Sequence, residues 1–316
     1  MFAYIIRRMA TAVIMIVIVA IVAQLAIHLL PGNPAYLILG AEMAPDPEML
    51  ASVTHELGLD RPLYQQVADG VFGLFRLDFG TSLKDQRPIS KLIASTFPVS
   101  LTLVVSATVF AIVFGLILGF IAAIRHNSVV DWLATVTATL GISTPVFITG
   151  IFLIYIFCIH WKLVPASGYT PLFENPRAFL LRLLLPTITV GVANGAEIMR
   201  MTRSCMLETL RADYMTTARA KGVKEIVVLI KHGLRNALIP VVAMIGVQFG
   251  SMFGRTVLVE AVFNWPGMMS TLVVAARYHD FPVVRGILVV TAAMFILINF
   301  ATDLAYAWID PRIAYD

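Results

Sequence analysis

Residues 97–124 pass without one charged side chain, and residues 132–161 do the same. A helix of roughly 20 apolar residues crosses the hydrocarbon core of a bilayer, so either run is long enough, as is a third at residues 9–30. Backbone N–H and C=O groups cannot stay unpaired in lipid, so all three must be helical. Three further stretches carry charge: residues 183–201 hold Glu197 and Arg200, residues 238–259 hold Arg255, and residues 286–308 hold Asp303. Such charges can snorkel to headgroups or face the interior of a bundle, so about six spans are expected. Composition agrees. With 59% hydrophobic and 13% charged residues and a mean hydropathy of +0.86, too little polar surface remains for a soluble domain. The fold class is an all-α polytopic membrane protein.

Orientation follows from the cations. Arg7 and Arg8 precede the first run, Arg125 follows the second, and Arg200, Arg203, Arg211, Arg219, Lys221, Lys224, Lys231 and Arg235 crowd the end of the fourth. The positive-inside rule places these, and both termini, in the cytoplasm. Arg61, Arg76, Lys84, Arg87 and Lys91 then lie outside, in a loop long enough to translocate regardless of charge. The first run exceeds the roughly 7–15 apolar residues of a signal peptide, which favours a retained anchor. Cys158 and Cys205 fall at opposite ends of this topology, so no disulfide or thiolate metal site is implied. The net charge of +4 comes mainly from these topogenic cations and gives no reason to invoke nucleic acid.

The organisation expected is an anchor helix over residues 1–30, an extracytoplasmic loop over 31–96 and a permease core over 97–316 that contains a cytoplasmic loop at 204–237. In the exterior loop Asp46 and Pro47 can open a short helix that Gly58 ends. A second starts near Pro62, with Leu63, Val67, Val71 and Leu74 on one face. Residues 162–182 hold Pro165, Gly168, Pro171 and Pro176 and read as irregular; Asn264 to Gly267 mark a turn, with Trp265 an interface-preferring aromatic. Gly115 and Gly119, Gly191 and Gly195, and Gly246, Gly250 and Gly254 recur at four-residue spacing, which lets helix backbones approach closely. Packing within the chain is the plain reading of all of them; the alternative is a seam with another membrane subunit, which the three-glycine ladder suits best.

One hydrophilic segment stands apart. Between Asp213 and Pro240 the chain reads as a basic short helix wedged between apolar runs. Asp213 can cap it, Tyr214, Thr217, Ala218, Arg219, Ala220 and Lys221 build about two turns, and Gly222 can end it. Isolated helices below about 12 residues are marginal in water, so something must hold this one. Small exposed residues, Ala218 and Ala220, would let it enter a groove. Ile226, Val227, Leu229 and Ile230 then resume an apolar face leading into the fifth span.

These residues carry a resemblance. Ala218-Arg219-Ala220-Lys221-Gly222 and Arg235-Asn236-Ala237 resemble the cytoplasmic docking loop of inner-membrane permease subunits of ABC importers, in the form found in dipeptide, oligopeptide and nickel permeases. Thr216 and Arg235 depart from the general importer loop, which has Glu-Ala-Ala and a later Leu-Pro. The likeness extends over nearly the whole chain: Leu30-Pro31-Gly32-Asn33-Pro34, Leu57-Gly58-Leu59-Asp60-Arg61-Pro62, Asp78-Phe79-Gly80-Thr81-Ser82, residues 200–208, Phe263-Asn264-Trp265-Pro266-Gly267, Asp280-Phe281-Pro282 and Asp310-Pro311-Arg312. It implies the type I importer permease fold and a half-transporter in the bacterial inner membrane. A second homologous permease would complete the pathway, two cytoplasmic ATPases carrying ATP and Mg would take the docking helices, and an extracytoplasmic binding protein would deliver short peptides. Nickel, an opine or an oligosaccharide on the same scaffold is the alternative cargo.

The chain itself reads as non-catalytic, with no cofactor. It has no phosphate-binding G-x-x-x-x-G-K-[ST] loop and no H-E-x-x-H pair, and its six histidines are scattered, so no metal site is expected. An intramembrane enzyme would need paired titratable residues at one depth, and the polar residues in the spans do not converge that way. Instead Gln248, Ser251, Met252 and Arg255 fall on one face of the fifth span and are candidates to line a pathway. Arg255 there can meet a peptide carboxylate, snorkel outward or pair with Glu260. Glu197 and Arg200, one turn apart, are expected to pair. Asn299 with Asp303, and Gln24 with His28, suit hydrogen bonds between helices. Pro145 and Pro240 can kink or begin helices.

Overall fold

The computed structural model describes residues 2–26, 47–56 and 60–309. The expectations for His28, residues 30–34, Asp46, residues 57–59 and residues 310–312 lie outside the described residues. The helices in chain order are α1 (Phe2–Ala26), α2 (Pro47–Glu56), α3 (Leu63–Phe75), α4 (Ile89–Ile124), α5 (Val129–Ser143), α6 (Val146–His160), α7 (Pro176–Leu210), α8 (Asp213–Ala220), α9 (Glu225–Val262), α10 (Met268–Arg277) and α11 (Phe281–Ile309). Five of them, α1, α4, α7, α9 and α11, are long and apolar enough to cross a membrane. The number becomes six only if α5 and α6 together make one span.

That pair corrects the expectation of a straight span at residues 132–161. The two helices meet at 109°. Pro145 has no N–H to donate, and its ring pushes the preceding residue out of the helical region, so Thr144 is extended at φ −87° and ψ 126°. Pro240 behaves otherwise: it neither begins nor breaks a helix but lies inside α9, which runs unbroken from Glu225 and passes through a π-helical stretch, Val228–Leu234. Pro176 opens α7 instead of breaking it, at a first-turn position where a missing N–H costs nothing, behind Asn175, whose side chain accepts the Ala178 N–H at 3.0 Å. The last loop contains a helix, α10, that its turn signals had hidden.

Packing separates Met1–Val99 with Gly267–Asp316 from Ser100–Pro266. In the first unit α1 lies against α3 and α11, and α10 against α11. Arg8 pairs with Asp303 at 3.2 Å, and Arg285 donates to the buried Gln24, so these polar residues do join helices. Two of the resemblance motifs also meet. Buried Asp280 accepts the Ser82 hydroxyl at 2.5 Å and the Leu83 N–H at 3.2 Å.

In the second unit α7 is central, with α5, α6 and α9 against it. The paired glycines set how near α4 comes. A Cβ on Gly115 would fall 2.7 Å from the Gly195 carbonyl oxygen, and one on Gly119 2.7 Å from that of Met199, so α4 tolerates no side chain at either position. Behind the turn that follows α9, Asn264 takes a left-handed φ of +48° and the Trp265 N–H reaches back to the Glu260 carbonyl at 2.8 Å. Trp265 is therefore turned inward, not to an interface: it is buried and meets Tyr169 edge to face at 4.9 Å.

Overpacking of this kind costs about 1–3 kcal/mol. Gly115→Leu or Gly195→Leu should lower the melting temperature of the purified protein in detergent. Gly254→Ala, where an added Cβ meets nothing within 4 Å, should leave it unchanged or raise it.

Candidate functional site

Helix α8 has only eight residues and no side-chain cap, so it cannot persist alone. Ala212 occupies the capping position; Asp213, expected there, is the first helical residue and places its charge at the positive end of the helix dipole. What holds α8 is a small apolar cluster. Met215 and Ala218 are buried against Val228 of α9, with Leu210 and Val223 packed around them. Ala218 therefore faces the chain itself and is not available to a groove.

The end of α8 is set by Gly222. At φ +74° its N–H donates to the Arg219 carbonyl at 2.9 Å, and the next N–H, of Val223, returns to the Ala218 carbonyl at 3.4 Å. This closure needs a left-handed residue, which glycine adopts without a Cβ penalty. Arg219 donates to Glu225 at 2.9–3.2 Å and so ties α8 to the first turn of α9; the carboxylate also raises the Arg219 pKa above its ordinary value. Asp213, Tyr214, Thr217, Arg219, Ala220, Lys221 and Gly222 remain exposed on the outer face. Beside them Ile226, Val227 and Ile230 are exposed too, whereas Val228, which sequence reasoning passed over, is the residue that packs.

The polar residues of α9 converge on α7. Glu197 does not pair with Arg200. Its Oε2 accepts from Gln248 Nε2 at 2.6 Å, and its Oε1 faces both Arg255 NH groups at 3.3 Å. Gln248 and Arg255 lie two turns apart and so reach the same carboxylate. Arg255 also donates to the Oδ1 of buried Asn194 at 2.8 Å, so it meets neither Glu260 nor open headgroups. Glu260 is itself fully buried and accepts the Ser100 hydroxyl at 2.5 Å. Of the four candidate pathway residues, Met252 is buried against Thr108, whose hydroxyl lies 3.0 Å from its sulfur, and Ser251 turns back to the Gln248 carbonyl. Arg255 opens onto a cavity. About 370 Å³ in volume, it is walled by Arg255, Glu197, Ala193 and the α5–α6 bend from Ile142 to Val146. Glu197 also borders a larger cavity of about 770 Å³ that Arg200 and Ser204 line.

A second arginine–carboxylate pair lies further along α7. Arg203 grips Asp131 of α5 through Nε at 2.6 Å and an NH group at 2.8 Å, and Asp131 also accepts the Asn127 N–H at 3.0 Å. Its side chain is 6% exposed. In the sequence Arg203 reads as one of the topogenic cations, and Asp131 falls in no motif. Asp131 sits three residues after Ser128, which caps α5 through the Asp131 N–H; that spacing is the local signal that was present.

The family described as "binding-protein-dependent transport system inner membrane component" matches residues 111–315, and its N-terminal counterpart matches residues 1–104. Among characterised relatives, the glutathione transport system permease proteins of Shigella flexneri serotype 5b and of Salmonella typhimurium are each 40% identical over 312 residues, 99% of either chain. The corresponding protein of Escherichia coli K12 is equally similar. A solved amino acid ABC transporter, crystallised with histidines, superposes at a TM-score of 0.51 with 14% identity, over 71% of this chain and 94% of that one. That likeness bears on the fold alone, which is the importer permease fold.

Removing one partner of a buried ion pair strands the other and costs about 3–5 kcal/mol. Asp131→Ala should therefore unfold at a markedly lower temperature than the intact protein. Asp131→Ala with Arg203→Met should recover most of that loss, read in the same thermal melt.

Proposed function

The chain belongs to the family of binding-protein-dependent transport system inner membrane components, and from that membership we propose that it forms half of the pathway by which a bacterium imports short peptides. It is a permease subunit of an ATP-driven importer, non-catalytic and multi-pass in the inner membrane. Such a subunit works with a second permease, with ATPases and with a substrate-binding protein. The observation that carries the peptide reading is likeness over the full length to permeases named for glutathione, itself a tripeptide.

The proposed coupling runs through α8. Two ATPases, which bind ATP and Mg, receive the exposed face of Asp213, Tyr214, Thr217, Arg219, Ala220 and Lys221. Met215 and Ala218, buried on the other face, tie that contact to α9. Closure of the ATPase dimer then shifts α8 and with it a helix that continues to Arg255 and beyond. In this reading both termini and residues 204–237 are cytoplasmic, residues 31–96 are extracytoplasmic, and peptide reaches the pathway from an extracytoplasmic binding protein. A ligand moves such an equilibrium only by its differential affinity for the two states.

The full complex in proteoliposomes should accumulate radiolabelled glutathione or a dipeptide when ATP is enclosed on the ATPase side. Uptake of nickel or of an oligosaccharide with no peptide uptake would overturn the cargo assignment. Replacing residues 213–222 by a Gly-Ser linker should abolish co-purification of the ATPases and reduce uptake at least about tenfold, as expected when a buried anchor and its exposed contacts are lost together. Retention of both would sink the docking assignment.

A further inference from the structure

Helix α7 contributes one member to each of two arginine–carboxylate pairs, which differ in hydrogen-bond geometry and in the burial of the carboxylate. Arg203 and Asp131 meet at 2.6 and 2.8 Å through two separate oxygens, the geometry of a strong charge-assisted fork. Arg255 and Glu197 meet at 3.3 Å, with both NH groups directed at one oxygen. Asp131 is 6% exposed, whereas Glu197 and Arg255 are 32% and 34% exposed and stand on the wall of a cavity. The first pair is a clamp, and the second is loose.

The surroundings of the loose pair are built to keep the arginine in place without its carboxylate. Arg255 is held through NH1 by Asn194, a fully buried side chain whose amide is fixed in turn by the Val190 carbonyl at 2.9 Å. Glu197 has its own holder in Gln248 at 2.6 Å, through the oxygen that Arg255 does not use. Among the described residues the buried Oε1 of Gln248 has no hydrogen-bond partner, a polar atom given up to fix this arrangement. Each charge thus has a neutral partner that would remain if the two separated.

We propose that Arg255 is a binding site for the carboxylate of a translocating peptide, and that Glu197 occupies that place as an internal stand-in when the pathway is empty. An entering carboxylate takes the fork of the guanidinium, whose planar donors match it in two parallel hydrogen bonds. Glu197 swings away on Gln248, towards the larger cavity it shares with Arg200, where a second guanidinium can take up its charge. After the exchange each carboxylate faces a guanidinium, the substrate's at Arg255 and that of Glu197 at Arg200, so the substrate enters without stranding an ion. The cavity beside Arg255 holds about 370 Å³, room for the carboxyl end of a short peptide. This deepens the peptide-import reading and rests on it.

Competition has a signature that a structural ion pair lacks: removing its two members moves ligand affinity in opposite directions. The test is equilibrium binding of radiolabelled glutathione to the assembled transporter in nanodiscs, with the binding protein left out. Glu197→Gln should bind more tightly than wild type, and Arg255→Gln more weakly, each by about tenfold, the size expected for gaining or losing one charge-assisted contact. Glutathione diethyl ester, which has no carboxylate, should bind equally to all three. Weakening by both variants in step, no change in either, or no detectable binding to Glu197→Gln would overturn the proposal. Failure of wild-type proteoliposomes to accumulate any short peptide would instead overturn the import reading beneath it.

Discussion

The second unit depends on the close approach of α4 and α7. Glycine faces backbone at Gly115 and Gly119, and the two helices come near enough that a single Cβ would collide with a carbonyl oxygen 2.7 Å away. In lipid no hydrophobic effect drives helices together, so dispersion across such a contact has to do that work. With α4 seated on one side, the other faces of α7 are left to α5, α6 and α9. Its polar residues Asn194, Glu197 and Arg203 find partners there, the first two on α9 and the third on α5.

Much of this was legible beforehand because lipid permits so few solutions. Uncharged runs translate directly into spans, and four-residue glycine spacing into close packing. The bend at Pro145 was visible as a proline and hidden as an angle: a missing N–H says where a helix yields, not whether the halves continue or turn back. What was not legible was side-chain pairing at long separation. Nothing local tells Glu197 to prefer Arg255, 58 residues on, over Arg200 one turn away. That choice is made when α9 docks and brings two donors to the same carboxylate.

A smaller miss lies at the start of α9. Ile226, Val227, Leu229 and Ile230 read as one apolar face in the sequence, yet Val228 is the residue that packs on α8, and three of those four are exposed. Likewise Ala218 looked like a small residue left open for a partner, yet a helix of two turns cannot spare an apolar contact. Met215 and Ala218 must face inward for α8 to exist at all.

That requirement has a mechanical consequence. Because α8 is held by its own chain, its position is set by α9, with only the four residues Lys221, Gly222, Val223 and Lys224 between them. From Glu225 to Arg255 the helix is continuous, a length of about 45 Å at 1.5 Å per residue. A displacement imposed on the exposed face of α8 is therefore not absorbed in a flexible loop. It reaches the α7–α9 contact, where Arg255 meets Glu197 at 3.3 Å, a distance at which a small relative shift weighs heavily on the pair. The tight Arg203–Asp131 fork, by contrast, holds α5 to α7 through such a shift. One helix thus carries a joint that can open and a clamp that resists opening, and the bend at Pro145 lies beside the joint.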